Sequence, residues 1–423
     1  MSATFFSRPR LTPLAPLAGL QEARRDPCTV TRAIQGSIDA AAARGGGDVV
    51  LSSAGTWLVD GLVLRDHVTL VLGEGVTLKA SGDEQRYTRR PGPFELLSHD
   101  TPISALIYGK SLTGAGVRGR GRIDASYERF IPPNQGDAPH LRFYDYPRPM
   151  TVYLEDCRGP LIKDITIIGA PFWTIHLVGC VNTAVQDVTI RNEMRMPNTD
   201  GIDIDRCTNT LIDSCTITTG DDAICAKCTE ETARYGLCEN LTVRVCVLES
   251  QSSAIKFGSS SFGGFANALF ERITINRSNR GIAFQLRDPG TARSIVFRDI
   301  TISTRRFSPE WWGSGEPVHL TLVPRDIGTN LADSCIEGVR FERVQAHSDN
   351  AVVIHAAAGR IEHVSFHDCT IQLNRQEGTP SDFDLRPCMG PHTLVAPARP
   401  VVTTVGGVSW DGTPVPVIGP RAR

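Results

Sequence analysis

Unbalanced charge is missing from this sequence: 44 basic residues against 46 acidic ones leave a net charge of −2. A chain without a field of one sign has no composition-level attraction to nucleic acid or to an anionic membrane surface, so neither is expected as a partner. Long apolar runs are missing too. Pro9, Pro13 and Pro16 break the N-terminal stretch, which therefore lacks the apolar core of roughly 7–15 residues that a secretory leader needs. No segment reaches the roughly 20 apolar residues that span a bilayer. The expectation is a cytoplasmic chain, or a secreted or periplasmic one if a leader precedes it. Long helical patterns are scarce; the clearest covers 31–44, is Ala-rich, and stops at Gly45-Gly46-Gly47.

Turn chemistry, by contrast, is abundant. The 39 Gly and 27 Pro suit a fold with many turns, and 41% hydrophobic content over 423 residues allows a large core. A short pattern recurs between the turns. Asp164-Ile165-Thr166-Ile167 returns as Asp187-Val188-Thr189-Ile190 and as Ser214-Cys215-Thr216-Ile217. It comes back as Arg272-Ile273-Thr274-Ile275, Asp299-Ile300-Thr301-Ile302 and Asp368-Cys369-Thr370-Ile371, with intervals of 23 and 27 residues recurring. Several short strands per repeat of this length specify a β-helix rather than a leucine-rich or helical solenoid. The class is all-β, a single-domain parallel β-helix over 29–374, with the helical run capping its open N-terminal end. Residues 1–28 read as an irregular arm, and 375–423 as a Pro- and Gly-rich tail running back over the surface. Loops at 81–104, 126–149 and 305–333 break the rhythm, and insertions in solenoids gather on the functional face.

Twelve cysteines, with Cys225-x-x-Cys228 among them, invite a zinc or disulfide reading. Their register speaks against it. Cys157, Cys180, Cys207 and Cys238 each precede the closing apolar residue of a strand by ten positions, and Cys215, Cys246 and Cys369 by two. Equivalent positions in successive coils predict a stacked ladder of reduced, buried thiols and no metal.

The chain is organised around 198–222. Asn198-Thr199-Asp200-Gly201 is followed, twenty-one residues after Asp200, by Gly220-Asp221-Asp222, with alternating strands between. One repeat of separation stacks Asp200 beside the Asp221-Asp222 pair. Adjacent carboxylates cannot all ionise freely, so at least one pKa rises, giving an acid and a base in one place. The strand after each of these turns also has a readable parity. Ile202 and Ile204 alternate with Asp203 and Asp205, Ile255 and Phe257 with Lys256, Ile282 and Phe284 with Gln285, and Ile175 and Leu177 flank His176. With the apolar set facing the core, His176, Asp203, Asp205, Lys256 and Gln285 project outward and form a polar groove. Arg287 continues that face. In the 305–333 loop, Trp312 of Trp311-Trp312 suits stacking on a sugar ring, and Glu316 is a spare carboxylate.

The two Asp motifs at this spacing resemble those of the polygalacturonase-type glycoside hydrolases, family 28, and identify the chain as similar to a divergent, bacterial-type member over about 29–373. The resemblance implies a right-handed parallel β-helix and inverting hydrolysis, with Asp221 as general acid and Asp200 and Asp222 activating the water. Two departures stand out. Where family members carry Gly-His-Gly this chain has Ser252-Ser253-Ala254, and where they carry the uronate-holding Arg-Ile-Lys it has Ala283-Phe284-Gln285. Lys256, Arg280 and Arg287 are the cations that stand to replace them.

The expectation is therefore a hydrolase of a pectin-related poly- or oligosaccharide, exo-acting, with no metal and no cofactor. Its candidate catalytic residues are Asp200, Asp221 and Asp222. Asn198, His176, Asp203, Lys256, Gln285, Arg287 and Trp312 are the candidate substrate contacts. The alternatives are a uronate lyase or epimerase using Lys256 as base, and a non-catalytic carbohydrate-binding β-helix.

Overall fold

The repeat pattern seen in the sequence is the register of the fold. In the computed structural model, which describes residues 11–13, 26–90, 103–144, 148–308, 311–374, 380–383, 392–395, 401–402 and 408–414, Ile167, Ile190, Ile217, Leu248, Ile275 and Ile302 are successive Cα partners in parallel strands. Ala346 and Ile371 continue the row. The chain is a right-handed parallel β-helix with two large sheets, of 23 and 12 strands. Each strand pairs with its equivalent one coil away, so apolar side chains of one parity stack into a continuous interior.

The core is filled in rows. Val152, Ile175, Ile202, Ile224, Ile255, Ile282 and Val318 form one. Rings stack along the axis from Phe270 through Phe297, Phe341 and Phe366 to Trp410, at centroid spacings of 5.0, 5.1, 4.5 and 5.1 Å. The thiols take equivalent places: Cys180 Sγ donates to the Leu154 carbonyl, Cys207 Sγ to Leu177 and Cys238 Sγ to Ile204. Among the described residues the cysteines are unbridged and all but Cys28 are buried; Cys388 lies outside them.

Turns into the recurring strand use the left-handed region. Asp164, Asp187, Ser214, Asp299 and Asp368 all have φ between 52° and 57°, a conformation that short polar side chains tolerate best.

The ends differ from the expected boundaries. The capping helix is Pro27–Ala43, starting four residues before the Ala-rich pattern because Asp26 caps it and Pro27 opens it. Val30, Ile34, Ile38 and Ala41 face the core. Gln35 donates to and accepts from the backbone of Val63, closing the edge of the first short strand of the 12-stranded sheet. Within the expected arm, Leu11–Pro13 pairs with 48–50 as a strand. Within the expected tail, Val401–Val402 and Val408–Trp410 extend the two sheets beyond 374. The coil continues there because Trp410 stacks on Phe366. The rest of both terminal segments lies outside the described residues.

Candidate active site

The 12-stranded sheet carries the site. The register Ile202↔Ile224 sets Asp200 beside Asp222 in adjacent coils, and Gly201 N–H donates to the Asp222 carbonyl at 2.9 Å. The glycines of both motifs permit the close approach. A Cβ on Gly201 would meet the Ala223 carbonyl at 2.4 Å, and one on Gly220 the Met196 carbonyl at 2.3 Å. The first turn is held by Thr199, whose hydroxyl donates to the Met196 carbonyl and accepts from Gly220 N–H.

Three carboxylates meet there, with oxygens of Asp200, Asp221 and Asp222 within 4.8 Å of one another. Their surroundings differ. Asp222 accepts from the Ser252 hydroxyl at 2.8 Å, Ser253 N–H at 3.0 Å and the Lys256 ammonium at 2.9 Å. Burial would push its pKa up, but Lys256, Lys227 and these donors overcome that and hold it below the usual carboxylate range. Among the described residues, Asp221 accepts only the backbone N–H groups of Asn198 and Asp222. Burial, then the charges of Asp200 and Asp222, push it well above that range. Asp200 is likewise raised by burial and by Asp203, against the pull of Lys227. A spacing this short suits a bridging cation too, although two lysine ammoniums already supply positive charge there, Lys256 on Asp222 and Lys227 on Asp200.

The cavity above them measures about 340 Å³. Of the ten sequence-nominated residues, eight line it: Asn198, Asp200, Asp221, Asp222, Lys256, Gln285, Arg287 and Trp312. His176 and Asp203 do not. Their outward parity is as expected, but neighbouring segments cover them. His176 is 1% exposed, edge-on to Trp173 and Tyr153, with Nε2 3.7 Å from Asp205. Asp205 in turn anchors Thr229 and Thr232. The expected open polar groove is therefore a buried polar layer with the cavity to one side of it.

Other expectations shift as well. Ser252 and Ser253 are both buried, and of the two Ser252 lines the cavity. Trp311 is buried, with its Nε1 on the Pro139 carbonyl; only Trp312 reaches the cavity. Glu316 is fully buried between Arg280 at 3.4 Å and His319 at 3.6 Å, which commits both it and Arg280 to the interior. Lys256 is committed to Asp222.

Sequence reading missed Trp173, Lys227, Ser252, Ser259 and Arg325 in the cavity wall. Trp173 was legible, being the register equivalent of Asp200 one coil earlier. So was Lys227, paired with Asp205 on the outward face. Arg325 follows its strand in an irregular segment, bound by two 2.7 Å contacts to Asp288, and nothing local announces it. Arg148 was also missed. Its guanidinium donates to the Pro171 and Pro197 carbonyls and to Asn198 Oδ1, which fixes the first Asp motif from outside.

Residues 68–247 match the family described as Glycosyl hydrolases family 28. Over 408 residues the chain is 29% identical to a probable polygalacturonase of Vitis vinifera, covering 91% of this chain and 76% of that protein. An endo-polygalacturonase of Pectobacterium carotovorum subsp. carotovorum is 24% identical over 72% of this chain and 78% of its own length. Among solved structures, a hyperthermoactive exopolygalacturonase from Thermotoga maritima superposes with a TM-score of 0.73 at 20% identity, covering 97% of this chain and 94% of that one. That last likeness is one of fold.

Proposed function

The chain belongs to glycosyl hydrolase family 28 and is a glycoside hydrolase, and on that premise we propose that it cleaves pectin-related poly- or oligosaccharides with Asp221 as general acid. The observation that carries this reading is the opposite bias of two neighbouring carboxylates. Asp221, with no cation within 4 Å among the described residues, is pushed up by burial and by its neighbouring carboxylates and is assigned the proton, while Asp222, on Lys256, stays ionised. The proton of Asp221 goes to the glycosidic oxygen as the C–O bond breaks. Asp222, with Asp200, takes the proton of the water whose oxygen bonds to the anomeric carbon.

The reaction is single-displacement and inverting in this reading. Oxygens within 4.8 Å are closer than the roughly 6.5–9.5 Å of most inverting pairs. Two of the three carboxylates sharing one water accounts for the compression. The same closeness also fits a retaining double displacement, for which roughly 5–5.5 Å is usual. Exo-action is supported by the junction of two loops beside the cavity, where His140 lies 4.3 Å from Trp311 and 5.8 Å from Trp312. Recognition would differ from a double-cation clamp. Gln285, Ser252 and Ser259 suit hydroxyls, so the sugar beyond the scissile bond is neutral or presents its acid to Arg287.

A panel of neutral, mixed and uronate oligosaccharides, followed by NMR for the anomer of the first product, tests the proposal. Inverted product with single-unit release supports it. Retention overturns the mechanism, mixed-length early products overturn exo-action, and a new double-bond absorbance points to a lyase.

A further inference from the structure

The acid–base reading uses Asp221, Asp222 and Lys256 fully, yet two more charged groups sit against Asp200. Lys227 Nζ lies 3.4 Å from Asp200 Oδ2 and 3.3 Å from Asp203 Oδ1, and its ammonium rests 4.4 Å from the centre of the Trp173 ring. Asp203 is 0% exposed and Lys227 6%. Among the described residues, Lys227 is the one cation within 4 Å of either carboxylate. Asp222 also feels this ammonium, and Lys256 and Arg148 act on Asp200 from beyond 4 Å, but each of these groups has closer partners of its own. Cys225 is a thiol pushed well up by burial, and it donates to the Gly258 carbonyl. His176 belongs to Asp205, Lys256 to Asp222, and Arg148 to three amide oxygens.

An uncompensated buried charge is expensive, so one ammonium between two carboxyls stabilises one negative charge, not two. The Asp200–Asp203 pair then holds a single proton between its members. Resting on the hydrolytic reading above, we propose that Lys227 is a positioning residue for Asp200, with Asp203 only the neighbour that shares its proton: the ammonium keeps one negative charge on the pair, and that charge lets Asp200 accept a proton from the attacking water. The balance closes. The water's proton neutralises the pair, Asp221 protonates the leaving oxygen, and the two sites exchange a proton through cavity water before the next turnover. Without Lys227 the pair already carries two protons, is neutral, and has no room for another until the pH rises. Burial already raises Asp203 to about 7 even against the pull of Lys227.

The test compares kcat and KM across pH for Lys227→Met and Asp203→Asn. A cation at this range favours a carboxylate by roughly one to three pH units, so Lys227→Met should lower kcat by ~10- to 1,000-fold near pH 5, recover toward pH 8, and leave KM within about threefold. Asp203→Asn keeps a neutral hydrogen-bonding group in place of the protonated partner and should retain kcat within about tenfold. A loss that is uniform across pH, or that appears in KM, overturns the inference, as does an Asp203→Asn variant as impaired as Lys227→Met. Should Lys227→Met not fold, Lys227→Arg keeps the charge and must leave the acid limb in place; a shifted limb overturns the inference. Asp221→Asn separates the two levels. Its inactivity beside a flat Lys227→Met profile refutes only the role of Lys227, whereas full turnover by Asp221→Asn refutes the hydrolytic assignment beneath it.

Discussion

Replacing Lys256 by Met should destabilise this protein in a pH-dependent way. Lys256 is 8% exposed and Asp222 3%, and their contact is 2.9 Å. Removing one partner of a buried ion pair costs about 3–5 kcal/mol, because the other charge is left uncompensated. Asp222 would still accept from the Ser252 hydroxyl and Ser253 N–H, so the lower end, about 3 kcal/mol, is expected. Unfolding entropy of about 2.1 cal/mol/K per residue over 423 residues converts this to a Tm lower by ~3–4 °C. The sign follows from the folded-state pKa of Asp222, which lies below its unfolded value. A depressed carboxyl adds stability above the unfolded pKa of about 3.9 and loses it as pH falls through the folded value. In the variant, burial dominates and raises the same group, so its contribution becomes a penalty that grows as pH climbs above about 4. Melting both proteins by circular dichroism near pH 4 and pH 8 should give a small gap at the first and the full gap at the second. An equal gap at both would assign the effect to packing of the Lys256 stem. No gap at all would show that the pair contributes nothing.

Three further outcomes are expected. Asp221→Asn should cut kcat by ~10²–10⁴-fold, the usual effect of losing an acid catalyst, with the far-ultraviolet spectrum unchanged. Trp312→Ala should raise KM while sparing kcat, whereas Trp311→Ala should lower the melting temperature through the ~3–5 kcal/mol that truncating a buried Trp costs; the reverse assignment would contradict the placement of the two rings. Thiol titration should find all twelve cysteines reactive in denaturant without reductant, but in the native state Cys28 should be the one reactive thiol of the described region; a lower total would mean bridging.

The legible part of this structure is the part governed by periodicity. Recurrence of Ile at 167, 190 and 217 fixes strand register, and register alone stacks Asp200 on Asp222. Parity correctly turned His176 and Asp203 away from the core. It could not tell an outward face from a solvent-facing one, because what covers them, Trp173 and the segments around Met150, comes from outside their strands. Lys227 is legible from its alternation with Ala226, which marks it as outward, but it stands between Cys225 and Cys228, whose spacing is the stronger local signal. The positions of Arg148 and Arg325 depend on how irregular segments fold back, and no local period encodes that.

Asp200 and Asp222 stand on neighbouring coils, so their separation is inherited from the spacing of adjacent strands, about 4.7–4.9 Å. Peptide hydrogen bonds such as Gly201 to Asp222 hold that spacing, independently of side-chain packing. Gln285 lies two coils further along and Trp312 in the loop beyond it. On the proposed reading, bond cleavage and the part of sugar selection assigned to Gln285 and Trp312 are thus borne by different stackable units. Exchanging the coils from Gln285 onward would, on that reading, change the preferred sugar while leaving Lys256 and the acid and base it tunes in place. A single coil spliced between Asp205 and Asp221 would instead leave Asp200 twice as far from Asp222, at about 9–10 Å, and on the proposed mechanism would silence the enzyme with all three carboxylates intact.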